Sequence, residues 1–172
     1  MTLCLTRHGE TEENLKRILQ GHLPGSLSET GKKQATDLKD KLCLNDFDSI
    51  VSSDLKRVTD TVRILLDGRT DIPWLQNTLF REIDWGSMTG MKIADVNFKH
   101  LAMDVETREM LYERAIKARD FLTEHFVGKQ ILVVSHGLFL RSLIAVFEDV
   151  PFERLHTIPH LQNCECRWLD TE

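Results

Sequence analysis

The sequence predicts a three-layer α/β/α sandwich, an α/β fold with a mostly parallel central sheet and a short cap insertion. Three observations carry that reading. Apolar strand-like runs alternate with segments of helical period. Ile50-Val51 and Ile131-Leu132-Val133-Val134 are apolar without alternation, as strands covered by helices on both faces are. Arg7-His8, Ser52-Ser53 and Ser135-His136 each close such a run, where ligands bind in open parallel sheets.

The elements follow in order. Thr2 to Thr6 is a short apolar strand, and Ser28-Glu29-Thr30-Gly31 opens a helix to about Leu42, with Ala35, Leu38 and Leu42 at helical spacing. Phe47 to Ser52 reads as a second strand. Asp54 is placed to cap a helix through Leu66, whose stripe is Val58, Val62, Leu65 and Leu66, and Gly68 stops it. Between Trp85 and about Asp104 the period weakens around Gly86 and Gly90, so residues 86–104 are a candidate cap over the site. Val105 to Phe126 is helical, with Met110, Leu111, Ala115, Ala118, Phe121 and Leu122 on overlapping apolar rows and Gly128 beyond the end. Ile131 to Val134 and Leu138 to Phe147 make the third strand-helix step. Pro151-Phe152 and the apolar positions around Leu161 and Trp168 fit a terminal strand or hairpin. No linker or repeat divides the chain, so 1–172 is read as a single domain.

Composition narrows the function classes. A chain of 172 residues with 41% hydrophobic content suits one core, burying about 70% of the surface its unfolded form exposes. A net charge of −5 gives no whole-chain basic field, which argues against a nucleic-acid partner. No run approaches the ~20 apolar residues of a membrane span, and no charged leader precedes Arg7, so no membrane and a cytoplasmic location are expected. Cys4, Cys43, Cys164 and Cys166 lack C-x-x-C spacing. They read as reduced, semi-buried thiols, with Cys164 and Cys166 on one face of a strand. His125, His156 and His160 lack metal-ligand spacing, so structural or surface places and no metal are expected.

Arg7, His8, Arg57 and His136 can act together on a phosphate monoester. Guanidinium groups match its oxygens with paired, charge-assisted hydrogen bonds. A neutral imidazole between two arginines can attack phosphorus in line, while the second imidazole steadies the equatorial oxygens. A leaving alkoxide needs a proton. Glu82 is the candidate acid, because a carboxyl near Trp85 in an enclosed site is favoured in its neutral form; Asp84 is the rival. His22, in a Gly-His-Leu-Pro-Gly loop, is open to either a substrate contact or a plain loop role.

Thr6-Arg7-His8-Gly9-Glu10-Thr11 with Asn14 resembles the signature of the histidine phosphatase superfamily, in its phosphoglycerate-mutase-like branch. Gly21-His22 with Leu27-Ser28-Glu29-Thr30-Gly31, Ser52 to Arg57 with Thr61, Arg81 to Gly86, and Ser135-His136-Gly137 follow in family order. The resemblance implies that His8 is the nucleophile that becomes phosphohistidine, and that Arg7, Arg57 and His136 form the phosphate pocket. It implies that Glu82 donates the proton and then serves as base for water, that Asn14 and Gly21 line the phosphate side together with Gly137, and that no cofactor is needed.

Departures from the pattern matter. Mutases of this superfamily carry a longer insertion with an Arg-Arg pair and a lysine; this chain has no Arg-Arg pair, and Val105-Glu106-Thr107 stands where relatives often read Gly-Glu-Ser. Lys92, Lys99 and His100 are the basic groups of its short insertion, which suits hydrolysis of a small-molecule phosphomonoester better than mutase chemistry. Within the family the compact cap is similar to that of alpha-ribazole phosphatases and, less closely, to phosphatases of protein phosphohistidine. A phosphate-binding interaction module without turnover would lack the nucleophile or an arginine, and this chain keeps both. Oligomeric state is not legible.

Overall fold

In the computed structural model, which describes residues 1–171, five strands form one sheet: β1 (Thr2–Arg7), β2 (Ser49–Ser52), β3 (Trp74–Gln76), β4 (Gln130–Ser135) and β5 (Cys166–Asp170). Their order is β3-β2-β4-β1-β5, with β5 antiparallel to β1 and every other pairing parallel. The helices are α1 (Glu12–Leu15), α2 (Glu29–Lys41), α3 (Lys56–Leu66), α4 (Arg108–His125) and α5 (Gly137–Phe147).

Both faces of the sheet are covered, which is why its central strands are apolar throughout. Leu3, Leu5, Val51, Ile131 and Val133 pack with Leu111, Ala115, Leu122, Leu140 and Leu143 of α4 and α5. From the other face Cys4, Ile50, Leu132 and Val134 meet Leu38 of α2 and Val58, Val62 and Leu65 of α3. A side-chain period of two thus splits each strand between two cores. The three layers are those expected from sequence.

Register aligns the strand ends. Arg7 pairs with Ser135, and Ser52 pairs with Val134, so His8, Ser53 and His136 leave the sheet side by side. The turn after β1 then crosses the start of α2 with backbone against backbone. A Cβ on Gly9 would lie 2.5 Å from the Gly31 carbonyl oxygen, and one on Gly31 would lie 2.0 Å from that of Glu10. Only hydrogen side chains fit this crossing.

Several local expectations change. β2 begins at Ser49 because Phe47 turns out of the sheet after the turn at Leu44–Asp46 and stacks on Trp168 at 5.7 Å. Asp54 does not cap α3: its carboxylate takes a bidentate pair from Arg81, while Ser53 Oγ accepts the Leu55 N–H. The Asp67 backbone, in the left-handed region at φ 49°, ends that helix one residue before Gly68. α4 starts at Arg108 behind a Thr107 cap, since Glu106 is committed to Arg114. Cys164 lies in a turn before β5 at φ 57°, so it does not share a strand face with Cys166, and Cys43 is exposed; all four thiols are free.

Residues 86–104 carry short turns at Gly86–Met88 and Ile93–Asp95. They are pinned to the loop after α1: Gly90 N–H donates to Leu19 O, Leu19 N–H to Met91 O, and Ile93 N–H to Arg17 O. Among the described residues no helix is long and apolar enough to cross a membrane.

Candidate active site

Four residues predicted from separate parts of the sequence meet at the carboxyl ends of β1, β2 and β4. His8 is 3% exposed, Arg57 1% and His136 0%, and the two imidazoles lie with ring centroids 5.3 Å apart. Burying these polar groups is costly unless each is hydrogen-bonded or ready to bond a ligand.

The protein fixes the His8 tautomer. Its Nδ1 lies 2.7 Å from Gly9 O, which can only accept, so Nδ1 carries the proton. Nε2 therefore holds a lone pair, to which Arg57 Nε donates at 3.3 Å. Burial, together with Arg57 and Arg7, pushes this imidazole well below the usual histidine range. It is a neutral base at neutral pH. Two further groups hold the turn: Gly9 N–H donates to Thr61 Oγ1 at 3.1 Å, and Asn163 Nδ2 to His8 O at 2.8 Å.

Arg57 stands one residue into α3, and backbone carbonyls orient it. Its Nη1 donates to Leu23 O at 2.5 Å and its Nη2 to Gly21 O at 2.9 Å. Burial brings its pKa down to about 10, with Glu82 and Glu13 pulling upward, so it stays a cation. Arg7 donates through Nη1 to Leu161 O at 3.3 Å, while its buried Nε has no protein partner. α5 starts beside it at Gly137, where a Cβ would stand in ordinary contact at 3.4 Å from Arg7 Nε.

His136 precedes α5, with Nε2 2.9 Å from Ser53 Oγ. With the Ser53 hydroxyl proton given to that nitrogen, Nδ1–H is the remaining donor, buried and without a partner among the described residues. Burial, Arg57, His8 and Arg7 push this ring well below the usual range too. Both histidines are thus held neutral in the fold while the unfolded chain protonates near 6.5. Their stabilisation is present above that pH and lost as pH falls toward the folded pKa. Ligand-free stability should drop by about 1 kcal/mol per pH unit for each below 6.5, read as a falling thermal midpoint; a midpoint just as acid-sensitive in H8Q/H136N would refute this source.

Glu82 lies where expected in chain order but in different surroundings from those expected. Its Oε1 accepts N–H groups of Ile83 at 3.0 Å and Phe139 at 3.1 Å, and Oε2 accepts that of Leu138 at 3.2 Å. The start of α5, rather than Trp85, holds this carboxyl. Asp84, the rival acid, turns the other way: Oδ1 accepts Gly86 N–H at 2.9 Å, and Oδ2 lies 3.5 Å from His22 Nδ1. His22 joins this backbone too, with Nε2 3.0 Å from Glu82 O. Asn14 commits its carboxamide oxygen to a capping box with Thr11, leaving Nδ2 to donate. Gly21, at φ 46°, serves Arg57 through its carbonyl.

Sequence reasoning missed Ser53 as the partner of His136, Asn163 as the brace of His8, and above all Arg114. That guanidinium forms a half-buried pair with Glu106 and donates to the carbonyls of Leu79, Arg81 and Glu82, so α4 fixes the whole Glu82 segment. The Glu-x7-Arg spacing of Glu106 and Arg114 was the available signal. Beside this segment opens a cleft of about 470 Å³ lined by His22, Arg81, Asp84, Met103, Met110 and Arg114, among others. Among the described residues no cluster of His, Cys, Asp and Glu is arranged to hold a metal ion.

Similarity to known proteins points the same way. A Bacillus subtilis protein, the uncharacterized phosphatase PhoE, is 30% identical over 145 residues, covering 83% of this chain and 75% of the relative. A 2,3-bisphosphoglycerate-dependent phosphoglycerate mutase of a Bradyrhizobium strain is 30% identical over 168 residues, covering 86% and 81%. The crystal structure of the alpha-ribazole phosphatase from Shigella flexneri superposes with a TM-score of 0.91 at 26% identity, covering 100% of this chain and 91% of that one. The model of the histidine phosphatase superfamily (branch 1) matches residues 3–172, and the chain belongs to that family.

Proposed function

We propose that this phosphatase hydrolyses small-molecule phosphomonoesters through a phosphohistidine on His8, without a cofactor. The observation that carries the reading is the His8 Nε2 lone pair, fixed by the Gly9 carbonyl, facing Arg57 and with the His136 ring beside it. In the first step Arg57 Nε gives up its bond to the Nε2 lone pair, which bonds to phosphorus as the ester P–O bond breaks. Arg7 Nε, the spare N–H groups of Arg57 and His136 Nδ1–H bind the equatorial oxygens. The leaving alkoxide takes a proton from Glu82. Of its oxygens, Oε1 already accepts two N–H groups and Oε2 one, so Oε2 has room for that proton. Water then attacks phosphorus, gives its proton to Glu82, and frees His8 and inorganic phosphate. Asn14, Gly21 and Gly137 border this pocket, and residues 86–104 act as a cap that shapes the alcohol side.

Glu82→Gln tests the acid. It should slow an alkyl ester by about 10²- to 10⁴-fold and p-nitrophenyl phosphate far less, because an acidic phenol leaves with little proton assistance. Equal slowing of both would move the acid to Asp84. Alpha-ribazole 5'-phosphate belongs in the first substrate panel, by likeness to the Shigella structure. A coupled mutase assay on the same preparation separates hydrolysis from transfer.

A further inference from the structure

Two patterns recur among the arginines of this chain, while Arg17, Arg108 and Arg154 follow neither. Arg63, Arg69, Arg81, Arg114, Arg119 and Arg167 each pair with a carboxylate. Arg7 and Arg57, assigned above to phosphate, are instead oriented by carbonyls and an imidazole, with no carboxylate of the described residues in salt-bridge reach. Arg141, on α5, follows the second pattern. Its Nε donates to Ile158 O at 2.7 Å, its Nη2 to His156 O at 2.8 Å, and its Nη1 to His160 Nε2 at 2.9 Å. Because a guanidinium only donates, His160 accepts through Nε2, as His8 does from Arg57. Burial, with Arg141 and Arg7 nearby, pushes the His160 ring down, which agrees with a neutral acceptor.

The location is joined to the phosphate pocket through one loop. His160 adjoins Leu161, whose carbonyl holds Arg7. Arg108, at the start of α4, joins Arg141 in lining a pocket of about 230 Å³ with Phe152, Leu155 and His156. Glu153 borders the same pocket, yet among the described residues it makes no ion pair with either arginine. Two like charges that share a pocket with no carboxylate of the described residues in salt-bridge range, Glu153 being the one acid in the lining, disfavour each other. An anion between them removes that cost.

We propose that Arg141 and Arg108 form a second anion-binding position, which takes a carboxylate or phosphate carried on the alcohol half of the substrate. This rests on the hydrolytic reading for the first position and narrows its substrate class to esters bearing a second negative group. These cations lie outside the cap, so the sparse charge of residues 86–104 does not bear on them.

The test uses two esters that differ at one carbon: glycerol 3-phosphate, ending in a hydroxymethyl group, and 3-phosphoglycerate, ending in a carboxylate. Titration calorimetry on the His8→Ala protein reads binding without turnover. The carboxylate ester should bind about tenfold tighter, the worth of one charge-assisted contact, and R108A in that background should cut the ratio severalfold. R141Q should do the same; if it misfolds, R108A alone decides. A starting ratio near one, or a ratio that R108A leaves intact, overturns the second position. Failure of wild-type turnover on p-nitrophenyl phosphate would instead overturn the hydrolytic reading, and the binding ratio would still be measured.

Discussion

His8→Ala should lower turnover of p-nitrophenyl phosphate by about 10⁴-fold or more, the scale seen when a covalent nucleophile is removed. The argument rests on one nitrogen. Gly9 O accepts the hydrogen bond from Nδ1–H, Arg57 and Arg7 disfavour a second proton, and Nε2 is left as the buried lone pair. Rapid acid-free quenching with labelled ester should show covalent phosphate on the wild-type protein and none on the variant. Substantial remaining activity, or label on the variant, would place the nucleophile elsewhere.

Arg57→Met should cost about 10³-fold in kcat/KM, because it deletes charge from the transferring phosphoryl group and the donor that aims Nε2. Stability should fall as well. The Gly21 and Leu23 carbonyls lose charged donors, each worth about 1–3 kcal/mol, and a 1% exposed cation is replaced by a thioether that cannot serve them. Arg57→Lys should recover part of the charge effect but not the fork, and so fall between. Steady-state kinetics with a thermal melt of each variant would separate the two losses, and values within a few-fold of wild type would remove Arg57 from the pocket.

Much of this site was legible because strand ends are legible. Apolar runs that stop at Arg7-His8, Ser52-Ser53 and Ser135-His136 identify three neighbouring ends, and register then needs only to keep them level. Arg57 was harder, since a single helical arginine reads as solvated; what reveals it is the pair of carbonyls from a loop 34 and 36 residues earlier. Contacts of that separation leave no local pattern. Glu82 illustrates a different limit: its position could be read, but the amides of α5 that bind it come from 56 and 57 residues away. Asp54 failed as a cap because Arg81 offered two charge-assisted bonds where a helix start offers one. The start of α4 was misread for a similar reason, as Glu106 looked like helix and is a tertiary partner.

The placement of β1 also sets when the site can exist. β1 lies between β4 and β5, and Thr2 pairs with Gln130 on one edge and Asp170 on the other. A growing chain therefore exposes Leu3-Cys4-Leu5 with both strand edges open until some 120 residues more are made, a wait of roughly ten seconds at the ribosome. During that interval the strand bearing Arg7 is a template for wrong pairing. The pocket around His8 can therefore close only once β4 and α5 have been made, long after the strand that leads into it.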